Sequence, residues 1–206
     1  MIDGQKKRIG VMGGTFDPIH YGHLYIAECS RYEFNLAQVL FIPSGQPVHK
    51  KREDITNATH RMEMTGLAIS SNPFFALSNV EVLRPGPTYT VDTLEHLNDQ
   101  CGGRHEFFFI TGADAILEIV SWKDVTRVFE LCQFIAVARP GFSLDAMNRV
   151  SKNLSPTQKA KVHIHETSGI LISSTDIRNR ISRGEPVKYL TPDSVLQYIT
   201  SHGLYR

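Results

Sequence analysis

The sequence predicts an α/β domain with a Rossmann-like fold, an open and mainly parallel sheet flanked by helices on both faces. Short, continuously apolar runs such as "VLFIP", "FFFIT" and "FIAVA" are typical of strands buried on both faces. Segments with helical spacing of apolar residues separate these runs. Strand alternating with helix favours right-handed βαβ units, and 206 residues suffice for one domain with a substantial core.

The predicted strands are the apolar runs at 9–12, 39–43, 75–82, 107–111, 134–138 and 162–165. The predicted helices lie between and after them, at about 22–34, 58–70, 90–100, 113–119, 123–130, 144–152, 174–183 and 192–202. Asn57 and Thr90 are expected to cap the second and third of these helices. Thr191 and Pro192 are expected to supply the cap and the first-turn proline of the last one. We expect a single domain over 1–206, with a small C-terminal helical segment at about 173–206 packed on it.

Composition and charge narrow the class of protein. Apolar residues make up 41% and charged residues 21%, which is typical of a globular chain rather than a disordered one. The net charge of +1 argues against a protein that binds a long nucleic acid through its backbone, whereas a small phosphorylated ligand needs only a few local cations. We therefore expect small-molecule partners and neither a nucleic acid nor a membrane.

The cysteines and the apolar segments point to the cytoplasm. Cys29, Cys101 and Cys132 are odd in number and widely spaced, so they form neither a disulfide framework nor a CxxC metal pair. No segment has the apolar length of a transmembrane helix, and the first residues lack the pattern of a secretory signal. A reducing cytoplasm is the location that these features predict.

The stretch "GGTFDPIHYGHL", residues 13–24, predicts a phosphate-binding turn. Gly13 and Gly14 allow a sharp turn and close approach of a ligand, and Thr15 offers a hydroxyl and an N–H. His20 and His23 then lie near a helix N-terminus, where N–H groups and the helix dipole attract an anion. The segment matches neither the P-loop nor GxGxxG.

Two other interpretations of this stretch stay open from the residues alone. It could be a structural turn with surface histidines, or the start of a metal site, although zinc would need a third ligand. Asp17 is expected to be a turn residue whose side chain bonds its own backbone.

"GGTFDPIHYGHL" resembles the first signature of the HxGH nucleotidyltransferase superfamily, and "ISSTDIR" (172–178) resembles its second signature, which faces the triphosphate. Further segments resemble one family within it, the bacterial nicotinate mononucleotide adenylyltransferases, and the likeness extends over essentially the whole chain. Those segments are "PSGQPVHK", "THRMEM", "GPTYTVDTL", "ITGADAI", "SWKDV", "VARPGF" and "YLTPDSVLQYITSHGLYR". Val48 replaces the usual second proline before His-Lys, and Thr88 replaces the usual serine.

The resemblance implies transfer of the adenylyl group of ATP to the 5′-phosphate of nicotinate mononucleotide, giving deamido-NAD and pyrophosphate in NAD biosynthesis. It implies in-line displacement without a covalent enzyme intermediate, with Mg²⁺ bound to the phosphates and no protein ligand assigned to the metal. The implied catalytic residues are His20, His23, Lys50 and Arg178. The implied ATP-binding residues are these histidines and Arg178 together with Gly13, Gly14, Thr15, Phe16, Arg139, Ser174 and Thr175.

The nicotinate mononucleotide would be bound by a second set of residues. Trp122 would stack on the nicotinate ring, and backbone N–H groups around Trp122 and Lys123 would bind its carboxylate together with Thr90. Gly112 and Asp114 would lie on the ribose side. Two alternatives remain: an adenylyltransferase of the same superfamily that uses nicotinamide mononucleotide or phosphopantetheine, and a non-catalytic nucleotide-binding protein.

Overall fold

The computed structural model describes residues 6–47, 55–138 and 154–206, and it confirms the predicted parallel sheet. In these ranges the strands are β1 (Lys7–Gly14), β2 (Gln38–Pro43), β3 (Phe75–Leu77), β4 (His105–Gly112), β5 (Cys132–Ala138) and β6 (Val162–Glu166). Their order across the sheet is β3-β2-β1-β4-β5-β6, and every neighbouring pair is parallel.

The helices of the described ranges alternate with the strands and then close the chain. They are α1 (Tyr21–Glu33), α2 (Ala58–Ile69), α3 (Thr90–Cys101), α4 (Ala113–Leu117), α5 (Val125–Leu131), α6 (Pro156–Lys159), α7 (Ser174–Ser182) and α8 (Asp193–Ser201). A single 3₁₀ turn, Ile119–Ser121, follows α4. The helix predicted at 144–152 lies outside the described residues. None of the helices described is both long and apolar enough to cross a bilayer.

Helix starts agree with the sequence prediction only in part. Asn57 caps α2 as predicted, because its side chain accepts the N–H of Thr59 at 2.9 Å. The cap predicted at Thr90 is wrong: Tyr89 occupies the N-cap position and Thr90 is the first helical residue of α3. Pro192 likewise stands at the N-cap of α8 rather than inside its first turn, so the cap predicted at Thr191 is also wrong. The Thr191 hydroxyl donates instead to the carbonyl oxygen of Ile19 at 2.8 Å.

The third strand is shorter than the apolar run at 75–82 predicts. β3 ends at Leu77 because the chain turns soon afterwards, where the N–H of Leu83 donates to the carbonyl oxygen of Asn79 at 3.0 Å. The remaining apolar residues of the run lie in this turn and not on the sheet.

Alternate side chains of each central strand fill two separate cores. In β4, Phe107 and Phe109 pack against α3 and α5 on one face, and Phe108 and Ile110 pack on the opposite face, which α1, α2 and α8 cover. This two-sided burial is why the strands appear as continuous apolar runs in the sequence.

The topology creates a crevice at the carboxyl ends of β1 and β4. From β1 the chain proceeds outward to β2 and β3, and it then returns to form β4 on the other side of β1. Gly14, at the end of β1, is paired with Pro43 of β2, and Gly112 ends β4. Open α/β sheets bind their ligands at such a reversal of strand order. The fold therefore places the glycine pair of "GGTFDPIHYGHL" where a ligand is expected.

Candidate active site

The segment 15–20, here called the β1–α1 loop, depends on the glycine before it. Phe16 has a φ of 48°, in the left-handed region, and its side chain is buried. A Cβ added to Gly14 would lie 3.0 Å from the ring of Phe16. A side chain at Gly14 would therefore displace Phe16, and glycine is required for the loop to take this path.

His20 and His23 meet at the N-terminus of α1. His20 is the N-cap residue, and the two form a reciprocal capping box in which His23 Nδ1 accepts the backbone N–H of His20 at 3.3 Å. Their rings stack with centroids 3.7 Å apart. The first turn of α1 contains no acidic residue, so the positive end of the helix dipole faces the same region without compensation. Two imidazoles and a helix N-terminus together form a site suited to a phosphate.

Two of the three residues predicted from "ISSTDIR" bond the backbone of the β1–α1 loop. Ser174 Oγ donates to the carbonyl oxygen of Pro18 at 2.9 Å, and Arg178 Nη1 donates to that of Asp17 at 2.7 Å. Thr175 lies exposed in the first turn of α7, with Arg178 Nη2 3.5 Å from its hydroxyl. The second signature therefore supports the loop directly, in addition to any contact with a ligand.

A buried arginine, which the sequence analysis did not select, holds the loops at the ends of β1 and β2 together. Arg61 of α2 is 1% exposed, and its guanidinium donates only to backbone carbonyls. The acceptors are Thr56 at 2.8 Å, Thr15 at 2.8 Å, Ser44 at 2.6 Å and Gly45 at 3.3 Å. Burial lowers the pKa of Arg61, and the nearby charge of Asp17 opposes that effect.

The expectation for Asp17 is wrong. Its carboxylate accepts hydrogen bonds from distant segments instead of its own turn: Oδ2 accepts the N–H of Thr56 at 3.2 Å, and Oδ1 accepts the hydroxyl of Tyr205 at 2.6 Å. Asp17 is 3% exposed, so its carboxylate has lost most of its contact with water. The hydrogen bonds from Thr56 and Tyr205 replace those that water would make.

Residues from both predicted binding sets line one cavity of about 340 Å³ in the crevice. The predicted residues on its wall are Gly13, Gly14, Thr15, Thr90, Trp122 and Lys123. Gly112 and Asp114 are not among the residues that line it, although their neighbours Thr111 and Ala115 are. The other predicted residues that the structure describes also lie off this wall: Phe16, His20, His23, Ser174, Thr175 and Arg178. The glycine turn thus forms one part of the cavity wall and an aromatic side chain forms another.

Trp122 is half-buried and its ring is fixed by the core. It packs edge to face on Phe109 and Phe134, with ring centroids 5.7 and 6.1 Å away. Its backbone N–H donates to the carbonyl oxygen of Ile119 at 3.1 Å. That amide is therefore already used inside the protein, which leaves Lys123 and Thr90 as the remaining predicted donors to a ring carboxylate.

Lys123 is oriented by an ion pair with the first turn of α3. Its Nζ lies 2.9 Å from Asp92 Oδ1 and 4.5 Å from the centre of the Tyr89 ring. Both partners come from the start of α3, so the side chain of Lys123 links α3 to the segment that carries Trp122.

Glu81 adds a buried acid to the same cavity wall, another residue that the sequence analysis missed. It is 9% exposed and accepts a hydrogen bond from Thr93 Oγ1 at 2.8 Å. Burial raises the pKa of its carboxyl group, and the hydrogen bond from Thr93 opposes this. No local sequence pattern marks Glu81 as a residue that lines the cavity.

Two of the predicted cationic residues, Lys50 and Arg139, lie outside the described residues. In the described ranges no group of three or more histidine, cysteine, aspartate or glutamate side chains is arranged to hold a metal ion. Apart from the buried carboxylate of Asp17, the side chains that gather at the β1–α1 loop are imidazoles, hydroxyls and the guanidinium groups of Arg61 and Arg178. Together with backbone N–H groups, these donors suit phosphate oxygens.

A family model described as cytidylyltransferase-like matches residues 11–180. The chain is 50% identical over 199 residues to a probable nicotinate-nucleotide adenylyltransferase of Moorella thermoacetica, covering 97% of this chain and 92% of that one. It is 46% identical over 206 residues to a protein of the same name from Desulfitobacterium hafniense strain Y51, covering 100% of this chain and 99% of the other.

Solved structures show the same fold. The Plasmodium falciparum nicotinic acid mononucleotide adenylyltransferase complexed with NaAD is 22% identical in sequence and superposes with a TM-score of 0.79, covering 97% of both chains. The same protein complexed with APC gives a TM-score of 0.78 over the same share.

Proposed function

Since the chain belongs to the cytidylyltransferase-like family, and within it to the nicotinate-nucleotide adenylyltransferases, we propose that it transfers the adenylyl group of ATP to nicotinate mononucleotide. A 5′-phosphate oxygen of the mononucleotide forms a bond to the α-phosphorus of ATP, and the bond from that phosphorus to the pyrophosphate oxygen breaks. The products are deamido-NAD and pyrophosphate, and no bond to the enzyme forms.

The observation that carries this proposal is one cavity whose wall contains residues of both predicted binding sets. Gly13, Gly14 and Thr15 supply backbone and a hydroxyl for a phosphate, and Trp122 supplies a flat aromatic surface in the same cavity of about 340 Å³. A mononucleotide has both features, a phosphate and an aromatic ring joined by a ribose. Such a ligand can therefore contact both ends at once, with its phosphate close to the N-terminus of α1.

The chain's contribution to the reaction is to position two anions and to stabilise charge. His20 and His23, held in a stack at the N-terminus of α1, donate hydrogen bonds to the α-phosphate region. Arg178, Ser174 and Thr175 lie beside the same loop, where they serve the β- and γ-phosphates as well as the loop backbone. By resemblance, Lys50 and Arg139 are assigned to the phosphates. Phe16 is assigned to the ATP-binding residues on the same ground.

Discrimination between nicotinate and nicotinamide mononucleotide follows from the hydrogen-bond donors at the cavity wall. Lys123 and Thr90 offer N–H and O–H donors at the cavity wall, and a carboxylate accepts from donors at both of its oxygens. A carboxamide would present its own NH₂ donors to one of these groups, and this mismatch favours nicotinate over nicotinamide mononucleotide. Gly112 and Asp114 stay assigned to the ribose side.

Mg²⁺ is proposed to arrive with the ATP phosphates. It keeps several waters and takes few protein ligands, and the donors at the β1–α1 loop suit phosphate oxygens rather than a metal cage. When bound, the ion would neutralise charge on the triphosphate and on the departing pyrophosphate.

The cysteines and the C-terminal helices complete the proposal. We place the protein in the reducing cytoplasm, on the ground that Cys29, Cys101 and Cys132 are free. We also propose that α7 and α8 belong to the same domain as the sheet, since Val195 and Ile199 of α8 are buried in its core.

The test is pyrophosphate release with ATP and Mg²⁺, measured in parallel with nicotinate mononucleotide, nicotinamide mononucleotide and phosphopantetheine. We expect release with nicotinate mononucleotide well above the other two. Release only with another acceptor would keep the phosphate site but overturn the assignment of Trp122, Lys123 and Thr90. Binding of ATP without release in any mixture would indicate a non-catalytic nucleotide-binding protein.

A further inference from the structure

The buried carboxylate of Asp17 connects the β1–α1 loop to the C-terminal segment of the chain. Its Oδ1 accepts the hydroxyl of Tyr205 at 2.6 Å, and its Oδ2 accepts the N–H of Thr56 at 3.2 Å. Asp17 lies three residues before His20, and its carbonyl oxygen accepts the guanidinium of Arg178. Side chain and backbone of this one residue are therefore held from separate directions.

Tyr205 is fixed in place for this contact. Its φ of 65° lies in the left-handed region, which a bulky residue adopts only when its surroundings impose it. Its ring packs against the core that α1, α2 and α8 cover, and its hydroxyl also lies 4.0 Å from the sulfur of Met64. Burial, and then the negative charge of Asp17, raise the pKa of the phenol, so that it keeps its proton and donates it to the carboxylate.

We propose that Tyr205 is a positioning residue for the adenylyl transfer: its hydroxyl fixes Asp17, and through Asp17 the path of the β1–α1 loop that ends at His20. The inference rests on the proposed function. A hydrogen bond to a buried carboxylate is among the strong ones, and without it the loop loses one of its anchors. Displacements of about 1 Å at a reacting centre lower rates by as much as ~100-fold, so a small relaxation of this loop is sufficient to lower kcat.

The test compares two phenylalanine variants that each lose a single hydroxyl. Tyr205→Phe keeps the packed ring and removes the bond to Asp17. Tyr198→Phe is the matched control, because the Tyr198 hydroxyl also joins the C-terminal segment to another element, with His60 Nδ1 of α2 2.9 Å away, but it does not touch the loop. We expect Y205F to lower kcat by about tenfold and to change the KM for nicotinate mononucleotide by less than about twofold, since the Trp122 wall is untouched. We expect Y198F to keep kcat within about twofold of the unmodified protein.

A second readout does not depend on turnover. Hydrogen exchange in a peptide covering 13–24 should be faster in Y205F than in the unmodified protein, and unchanged in Y198F. If the unmodified protein releases no pyrophosphate with any acceptor, the proposed function fails, yet the exchange measurement still decides whether Tyr205 holds the loop.

Either of two results would overturn the proposal: unchanged kcat and unchanged exchange in Y205F, or equal losses in Y205F and Y198F, which would indicate a general structural effect. Should Y205F fail to fold, Asp17→Asn tests the same anchor from the other side. Its amide group cannot accept the Thr56 N–H and the Tyr205 hydroxyl as a carboxylate does, so exchange over 13–24 should again be faster, and exchange at the unmodified rate would reject the proposal.

Discussion

Gly22 lies directly against the imidazole of His20. A Cβ at Gly22 would be 3.0 Å from His20 Nδ1 and 3.1 Å from Cε1, closer than the ring tolerates without moving. Gly22 is the second residue of α1, where alanine would otherwise favour the helix. The absence of a side chain here is therefore explained by the position of the neighbouring histidine ring.

Replacing Gly22 by alanine should separate activity from stability. The added methyl group pushes the His20 ring by a few tenths of an ångström and disturbs its stack on His23, so we expect kcat to fall by about tenfold. The free energy of unfolding should stay equal or rise by up to about 1 kcal/mol, from helix propensity. Gly66→Ala in α2 is the control, since a Cβ there meets only Leu77 Cδ2 at 3.4 Å. Equal kcat in both variants would contradict the argument.

His23 has a catalytic and a capping role that two substitutions distinguish. His23→Ala removes both the imidazole and the acceptor for the His20 N–H, so kcat should fall by about 100-fold or more. Unfolding should become easier by about 1 kcal/mol. His23→Asn restores an acceptor near that N–H, and we expect it to recover stability without recovering kcat. His96→Ala, at an exposed position of α3, should change neither. Near-normal turnover of H23A would mean that the phosphate site is misassigned.

Truncation of Trp122 should affect one substrate more than the other. Trp122→Ala removes the proposed platform for the nicotinate ring, and we expect the KM for the mononucleotide to rise about tenfold or more. The KM for ATP should change by less than about twofold. Trp122→Phe keeps an aromatic surface packed on Phe109 and Phe134. Its KM for the mononucleotide should therefore lie between those of W122A and the unmodified protein. Steady-state kinetics with each substrate varied in turn measures this, and equal increases in both KM values would reject the stacking assignment.

Arg61 should contribute strongly to the folding stability of the protein. Arg61→Met removes every hydrogen bond from the guanidinium and leaves buried carbonyl oxygens of the β1 and β2 loops without donors. The free energy of unfolding should fall by about 3–5 kcal/mol, measured by urea denaturation. Arg104→Met, at an exposed position, should change it by less than about 0.5 kcal/mol. Comparable small changes in both variants would show that the carbonyls find other donors.

Glu81 should make stability depend on pH in a predictable direction. Burial raises its pKa in the folded protein above the ordinary value of 4.5, so the folded state binds this proton more tightly than the unfolded state does. The stability that this group contributes is complete below the unfolded pKa and is lost as the pH rises through the folded pKa. Glu81→Gln lacks that loss, so its unfolding free energy relative to the unmodified protein should increase from about pH 4.5 upward and then level off.

Urea denaturation from about pH 4 to about pH 8 measures this difference. Glu63→Gln, at an exposed position of α2, controls for the removal of one acidic group. A difference between E81Q and the unmodified protein that stays constant, or decreases with pH, would contradict the assignment.

The sheet could be predicted from the sequence because its signal is local. The burial of β4 on both faces shows directly as a run of phenylalanines, and the glycines at 13 and 14 mark the turn that follows β1. Part of each predicted binding set, Gly13 to Thr15 on one side and Thr90, Trp122 and Lys123 on the other, does line a single cavity. Each of these features depends on neighbours in sequence or on short segments.

Arg61 and Asp17 could not be predicted in the same way, because their roles depend on distant partners. Arg61 bonds carbonyls up to 46 residues away, and Asp17 bonds a hydroxyl 188 residues away. A local interpretation gave Asp17 the role of an ordinary turn residue, and nothing in the adjacent sequence contradicted it. The same limit applies to Glu81, whose burial depends on how α3 packs over the turn after β3.

The contacts of Ser174, Arg178 and Tyr205 with the β1–α1 loop also determine when the loop can be fixed in place during protein synthesis. The loop is translated early, but these partners follow it by 156 to 188 residues. At about 5–20 residues per second, a nascent chain would wait roughly 10–40 s between making the loop and making the groups that hold it. The ribosome thus produces the nucleotide-binding turn first, and the polypeptide becomes competent to use it only when its final helices have emerged.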